Sequence, residues 1–247
     1  MKNIIPGKTE HPFEVLKRCG GYYECPKSPE GKRLGPLVGY AGKYGPKGEE
    51  RQYVGDIYAN FAKAECHGPV LDWICKRLGW TISSTLSSIT GFIGLPEGGK
   101  ALATALAIDL GRQYVYPDRK VTALKTETAR EKSDLVFERH ELHEGERWII
   151  VEDVCNNFST TAKSIELVES FGAKVIAIAC FLNRSLEVNS VYSPRANISL
   201  PVISLVRQPI LEYQQDYPAV AEDIEKGNVV LKPKNEWSRL MNAMERK

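Results

Sequence analysis

Four bulky apolar residues in a row, Trp148-Ile149-Ile150-Val151, are followed at once by two carboxylates, Glu152 and Asp153. Such a run has no polar side to turn toward water. It is therefore expected as a strand buried on both faces, as in the interior of a parallel sheet. A polar turn comes next, Asn156-Asn157-Phe158, and then three hydroxyls, Ser159, Thr160 and Thr161. Ala162, Ile165 and Val168 follow at helical spacing, with Leu167 and Phe171 beside them, and Gly172 is placed to stop the helix. Lys174 to Leu182 reads as the next buried strand. This strand–loop–helix–strand unit predicts an α/β fold. It also puts polar residues at the carboxyl end of a strand, where open α/β sheets bind ligands.

The residue types in that loop select a ligand. Backbone N–H groups at a helix start, with the hydroxyls of Ser159, Thr160 and Thr161, suit a phosphate monoester. Glu152 and Asp153 suit a pair of sugar hydroxyls or a developing positive charge. Phosphate beside a diol outlines a ribose 5-phosphate. The same residues also fit a plainer reading, an acidic strand end and a hydroxyl-rich helix cap. About fifty residues earlier stands a second unit of the same kind. Gly91 to Gly94 leads through Leu95-Pro96 to Glu97-Gly98-Gly99-Lys100 and a helix ending at Gly111. Glycine-rich turns feeding a helix present bare N–H groups to phosphate, and Lys100 adds a point charge.

Val151-Glu152-Asp153-Val154 and its polar turn resemble the phosphoribosyl-diphosphate (PRPP) motif of type I phosphoribosyltransferases, most like the orotate enzymes. The family usually continues Thr-Thr-Gly-Gly-Ser/Thr. This chain has Asn156-Asn157-Phe158-Ser159-Thr160, keeping the acids and the final hydroxyl and losing both glycines. The Glu97-Gly98-Gly99-Lys100 turn resembles the family's pyrophosphate loop. Arg119-Lys120 resembles the pair that opens the mobile catalytic loop, after which Lys125, Arg130 and Lys132 are candidates for its further cation. Asn183-Arg184, with Glu187, is similar to the Asp-Arg-x-Glu that meets the orotate carboxylate. Pro201-Val202, Ser204-Leu205, Tyr213, Pro218 and Lys232-Pro233 follow the order of the family's tail.

The resemblance implies a doubly wound parallel sheet of about five strands with a small hood lobe. The hood is assigned to residues 1–64 and 201–247, and the PRPP-binding core to 65–200. Short strands are expected at Leu37–Tyr40 and Tyr53–Ala59, with a turn at 45–48. Tyr53, Tyr58, Asn60 and Lys63 are candidates to face the base. A helix is expected from Pro69 to Leu78, with Gly79 at its end. His140-Glu141-Leu142-His143 is one residue short of the zinc-protease spacing and is read as surface.

A net charge of +2 points to no nucleic-acid or membrane partner. Six cysteines without C-x-x-C spacing read as reduced thiols. With no apolar signal core in residues 1–14, a cytoplasmic protein is expected. The leading expectation is transfer of 5-phosphoribosyl from PRPP to orotate. The resemblance then implies that Glu152 and Asp153 hold the ribose hydroxyls and that Asn156 to Thr161 hold the 5-phosphate. Glu97 to Lys100, Arg119 and Lys120 serve the pyrophosphate, and Arg184 and Tyr58 the base. Mg²⁺ arrives on PRPP with no ligand set of its own, and a homodimer is implied. A second reading changes the base. A third makes the chain a non-catalytic PRPP or nucleotide sensor, supported by the altered loop.

Overall fold

The Trp148 run lies inside the main sheet, as its two apolar faces require. The computed structural model describes residues 4–46, 48–123 and 132–245. In chain order the elements begin α1 (Pro12–Arg18), β1 (Tyr22–Glu24), β2 (Leu37–Tyr44), β3 (Arg51–Gly55), β4 (Ile57–Ala59) and α2 (Ala62–Glu65). Next come α3 (Gly68–Thr85), β5 (Gly91–Gly94), α4 (Gly99–Leu110), β6 (Gln113–Val115), β7 (Asp118–Ala123) and β8 (Lys132–Val136). Then follow β9 (Arg147–Cys155), α5 (Ser159–Glu169), β10 (Lys174–Asn183), β11 (Val191–Arg195) and β12 (Ile198–Arg207). The chain closes with α6 (Pro218–Glu225), β13 (Val229–Val230) and α7 (Trp237–Glu245). It divides into two units, Met1–Pro12 with Ala64–Pro209, and Phe13–Lys63 with Ile210–Lys247.

The first unit is an α/β layer structure. Its sheet runs β11-β12-β10-β9-β5-β6. All neighbours pair in parallel except the edge strand β11. Strand alternation sends successive side chains of β9 to opposite faces. Trp148 and Ile150 join Ile165 and Val168 of α5 in one buried cluster. Ile149 and Val151, both wholly buried, face the other way, the side on which α4 packs against β9. Four side chains that water never touches thus need both helical layers, and the sheet is doubly wound around them.

Several elements depart from the sequence reading. Helix α3 does not stop at Gly79 but runs on to Thr85. Gly79 is buried where a Cβ would meet Asp109 and Leu106 of α4, so it is a close-packing residue rather than a cap. Ile82, wholly buried one turn later, continues the apolar stripe. Residues 201–209, expected in the C-terminal hood segment, fall in the first unit. They complete β12, whose Val202 to Arg207 pair with Ile178 to Asn183 of β10. Phe171 lies beyond α5 and is 39% exposed, edge-on to Phe137.

The second unit is built from two chain segments. A three-stranded sheet, β13-β2-β3, and a two-stranded one, β1-β4, form its frame. The expected Tyr53–Ala59 strand is two strands broken at Asp56. Asp56 is drawn off to bind Arg33 at 2.5 Å and Lys27 at 2.9 Å. Burial alone would raise its pKa, but hydrogen bonds and charge from Arg33 and Lys27 win and lower it. Arg33 also reaches Asp223 at 3.2 Å and the Ala219 carbonyl at 2.6 Å. The segments are stitched again where Val54 and Tyr213 exchange backbone bonds. Helix α7 is anchored by apolar side chains. It buries Trp237 and Leu240, and the indole N–H donates to the Gly20 carbonyl at 2.9 Å.

Candidate active site

Strand order creates the site. From β5 the chain crosses through α4 to β6 on one side; β9, the next strand of this sheet, sits on the other side of β5. The loops after β5 and β9 therefore leave neighbouring strands at the point where the winding reverses, the usual ligand crevice of an open α/β sheet. Leu95 N–H donates to the Val151 carbonyl at 3.0 Å and carries the pairing to the loop mouths. Beyond it the two loops touch. A Cβ on Gly98 would overlap the Asp153 carboxylate, and one on Gly99 would collide with the Val151 carbonyl. Both glycines are therefore required by close approach.

The carboxylates sit differently. Asp153 Oδ1 accepts the Val154 N–H at 2.9 Å. Glu152 is pushed up from 4.5 to about 8, first by burial and then by the neighbouring Asp153 charge. Arg119 and the Thr161 hydroxyl act against that rise. Thr161 is wholly buried, and its Oγ1 makes no hydrogen bond of acceptable geometry. Glu152 is thus a carboxyl poised to take or release a proton near neutral pH.

Phe158 resolves the loop that lost its glycines. It takes the left-handed conformation, φ 55° and ψ 18°, at the N-cap of α5. That is the backbone shape a glycine would supply, here held at a cost of about 1–2 kcal/mol. The ring is 3% exposed and stacks on Tyr192 of β11, centroids 4.7 Å apart at 20°. It points into the core and leaves the loop backbone at the mouth. Asn157 Oδ1 accepts the Ser159 N–H at 3.1 Å. Phe158, at the N-cap, supplies no side-chain cap of its own, so the first-turn N–H groups beyond that of Ser159 are available to an anion. Ser159 is exposed, and Thr160 and Asn156 are half-buried.

Lys100 rises from the first turn of α4. Its Nζ lies 3.6 Å from Glu97, 3.9 Å from Asp118 and 4.5 Å above the Tyr116 ring. Arg119 extends its Nη2 to 3.5 Å from the Pro96 carbonyl. Glu97, Gly98, Gly99, Lys100, Arg119, Glu152, Asp153 and the Asn156–Thr161 loop are thus gathered at one crevice.

Residues 71–199, just over half of the chain, match the model of the phosphoribosyl transferase domain. The chain belongs to the phosphoribosyltransferase family of enzymes. It is 25% identical over 161 residues to an orotate phosphoribosyltransferase of Bartonella tribocorum, covering 64% of this chain and 74% of that one. It is 29% identical over 115 residues to an adenine phosphoribosyltransferase of Ruminiclostridium cellulolyticum, covering 44% and 67%. The fold is similar to the crystal structure of orotate phosphoribosyltransferase from Aeropyrum pernix. There the TM-score is 0.54 at 17% identity, over 87% of this chain and 98% of that one.

Other candidates of this phosphoribosyltransferase lie elsewhere. Lys120 is the strand neighbour of Arg119 and points to the opposite face, where its Nζ is 3.6 Å from Glu138. Lys125 and Arg130 lie outside the described residues. The flanking segments pair as the antiparallel ribbon β7–β8. Arg184 follows β10, is 8% exposed, and donates its N–H to the Cys155 carbonyl at the end of β9. Tyr58 belongs to the second unit, where its ring packs 6.0 Å from that of Trp237. Among the described residues no three His, Cys, Asp or Glu side chains gather as a metal site, and no helix is long and apolar enough to cross a membrane.

Sequence reasoning missed three supports. Tyr116 and Asp118 hold Lys100, and Arg207 clamps the loop that carries Arg184. Arg207 bonds Ser185 O at 2.6 Å, Asn189 Oδ1 at 3.1 Å and Asn183 O at 3.2 Å. Asn183 Nδ2 adds bonds to Val188 O and Asn189 O. Only the strand-end position of Arg207 could have signalled this. His140, expected at the surface, packs edge-on against Tyr116 with its Nε2 buried and unpartnered, and Leu142 is 4% exposed.

Proposed function

We propose that this phosphoribosyltransferase transfers the 5-phosphoribosyl group of PRPP to orotate, giving orotidine 5-phosphate and pyrophosphate, a step of pyrimidine nucleotide synthesis. One observation carries the choice of base: a buried guanidinium-bearing residue, Arg184, at the strand end next to the Glu152-Asp153 loop. A planar carboxylate answers an arginine with two parallel hydrogen bonds, and a neutral base leaves it unanswered. The names of relatives such as that of Bartonella tribocorum support the same reading.

In the reaction, the bond from ribose carbon 1 to pyrophosphate breaks as orotate N1 gives up its proton and bonds to that carbon. Asp153 and ionised Glu152 hold the ribose hydroxyls and offset the positive charge that develops on the ring. The first-turn N–H groups of α5, with Ser159 and Thr160, hold the 5-phosphate. Lys100, Arg119 and the backbone at 97–99 receive the departing pyrophosphate as preorganised charges. Magnesium enters as part of the substrate, on the diphosphate of PRPP. We take the enzyme to be a cytoplasmic homodimer.

The test is loss of orotate ultraviolet absorbance with PRPP and magnesium. Asp153→Asn is expected to abolish turnover. Arg184→Gln is expected to raise the orotate KM by about 30-fold or more while PRPP still binds. Turnover with adenine in place of orotate would overturn the choice of base. PRPP binding without turnover on any base would favour a sensor, and absence of PRPP binding would overturn the site.

A further inference from the structure

A concavity of the first unit lies away from the crevice. It is a cavity of about 880 Å³ between the N-terminal residues 5–9 and the outer face of α3. That size suits a small organic ligand. Its helical wall alternates rings and charges turn by turn: Asp72 and Trp73, then Lys76 and Arg77, then Trp80. The N-terminal segment is tied down to form the opposite wall. Trp73 Nε1 donates to the Gly7 carbonyl at 3.0 Å, and Arg77 to the Lys8 and Glu10 carbonyls at 3.3 and 3.5 Å.

Three features narrow the occupant. Trp80 is 74% exposed, a large indole face for which water is a poor partner. The charge is one-sided. Among the lining residues Lys8, Lys76 and Arg77 meet one carboxylate, Asp72, which Lys76 holds at 2.8 Å; Asp109, outside the lining, also acts on Lys76. Lys76 and Trp80 are one helical turn apart, about 6 Å between their Cβ atoms, so a ring on the indole places an attached anion near the ammonium across a short spacer. A second copy of the chain is a poor occupant. A two-fold contact sets the same patch against itself, and this patch carries three cations to one carboxylate among its lining residues.

The geometry points to a second ligand site in this cavity, for a nucleoside monophosphate: the base stacks on Trp80 and the phosphate meets Lys76 and Lys8. Base–aromatic stacking is tolerant of base identity, so the class is recognised and not one nucleotide. The inference is independent of the catalytic reading, because no residue of the crevice takes part.

Tryptophan fluorescence tests it on the full-length protein. Trp148 and Trp237 are buried, so quenching by a titrated ligand reports mainly on Trp73 and Trp80. UMP and AMP are expected to quench saturably, with Trp80→Ala and Lys8→Glu each weakening binding about tenfold or more in calorimetry. Both variants should keep the wild-type melting temperature and wild-type turnover. Uridine or inorganic phosphate alone should bind at least tenfold more weakly than UMP. The proposal is overturned if neither nucleotide quenches, if the variants bind UMP unchanged, or if uridine binds as tightly as UMP. It is also overturned if Trp80→Ala shifts the association state in sedimentation, since the face would then be a contact between copies.

Discussion

Glu152 is the residue whose chemistry is most altered by its setting. Its pKa rises from 4.5 to about 8, so between those values the folded chain keeps a proton that the unfolded chain has released. Stability therefore falls as pH rises through that window, by about 1 kcal/mol per unit, and is flat above it. Urea midpoints at pH 5.5 and 8.5 should differ accordingly, and Glu152→Gln should remove that slope. If the ionised form holds the developing charge, kcat/KM for PRPP climbs with pH toward about 8. Phe158 makes a second, opposite use of strain. Phe158→Ala and Phe158→Gly both lose the buried ring, about 3–5 kcal/mol. Only alanine keeps the left-handed penalty, so the glycine variant should be more stable by about 1 kcal/mol in urea denaturation. At this scale the order of residues shows which types stand in a loop but not where each side chain goes. Phe158 belongs to the loop read as the 5-phosphate site, yet its ring is buried against Tyr192 and only its backbone stays at the mouth.

At the scale of elements, the site is two strand–loop–helix units pressed together until only glycine fits between them. Gly98→Ala should push the Asp153 carboxylate aside, because the added methyl would occupy its place. The expected result is a fall in kcat/KM of about 100-fold with a melting temperature close to wild type, since a side chain gives way and not the backbone. The units themselves were legible. An apolar run, two acids and a polar helix start can be read from neighbours in the chain, and so can Gly-Gly before Lys100. Helix α3 was read short because Gly79 has two meanings. A glycine at the end of a stripe stops a helix in solution, but one pressed against Asp109 and Leu106 lets two helices approach. Local sequence cannot tell these apart.

At the scale of the molecule, the second unit depends on contacts between segments far apart in the chain. Arg33 joins Asp56 to Asp223 and the Ala219 carbonyl, its side chain only 12% exposed. Arg33→Ala takes the guanidinium from two carboxylates, leaving Asp56 with Lys27 and Asp223 with Asn228, and should cost about 2 kcal/mol, read as a lower melting temperature in calorimetry. None of this pairing has a sequence signal, because an arginine 23 residues from one acid and 190 from the other looks like surface. By itself the sequence determined the α/β class, the two strand–loop–helix units and the acids at the end of one strand, because apolar periodicity and glycine placement act over one element at a time. Tertiary structure alone decided that β9 lies beside β5, that Asp153 meets Gly98, and that Arg119 faces the crevice while Lys120 turns away. It also decided that Glu152 holds its proton near neutral pH. Those outcomes depend on which strands become neighbours and how much water is excluded between them, and the order of residues in a chain encodes neither locally.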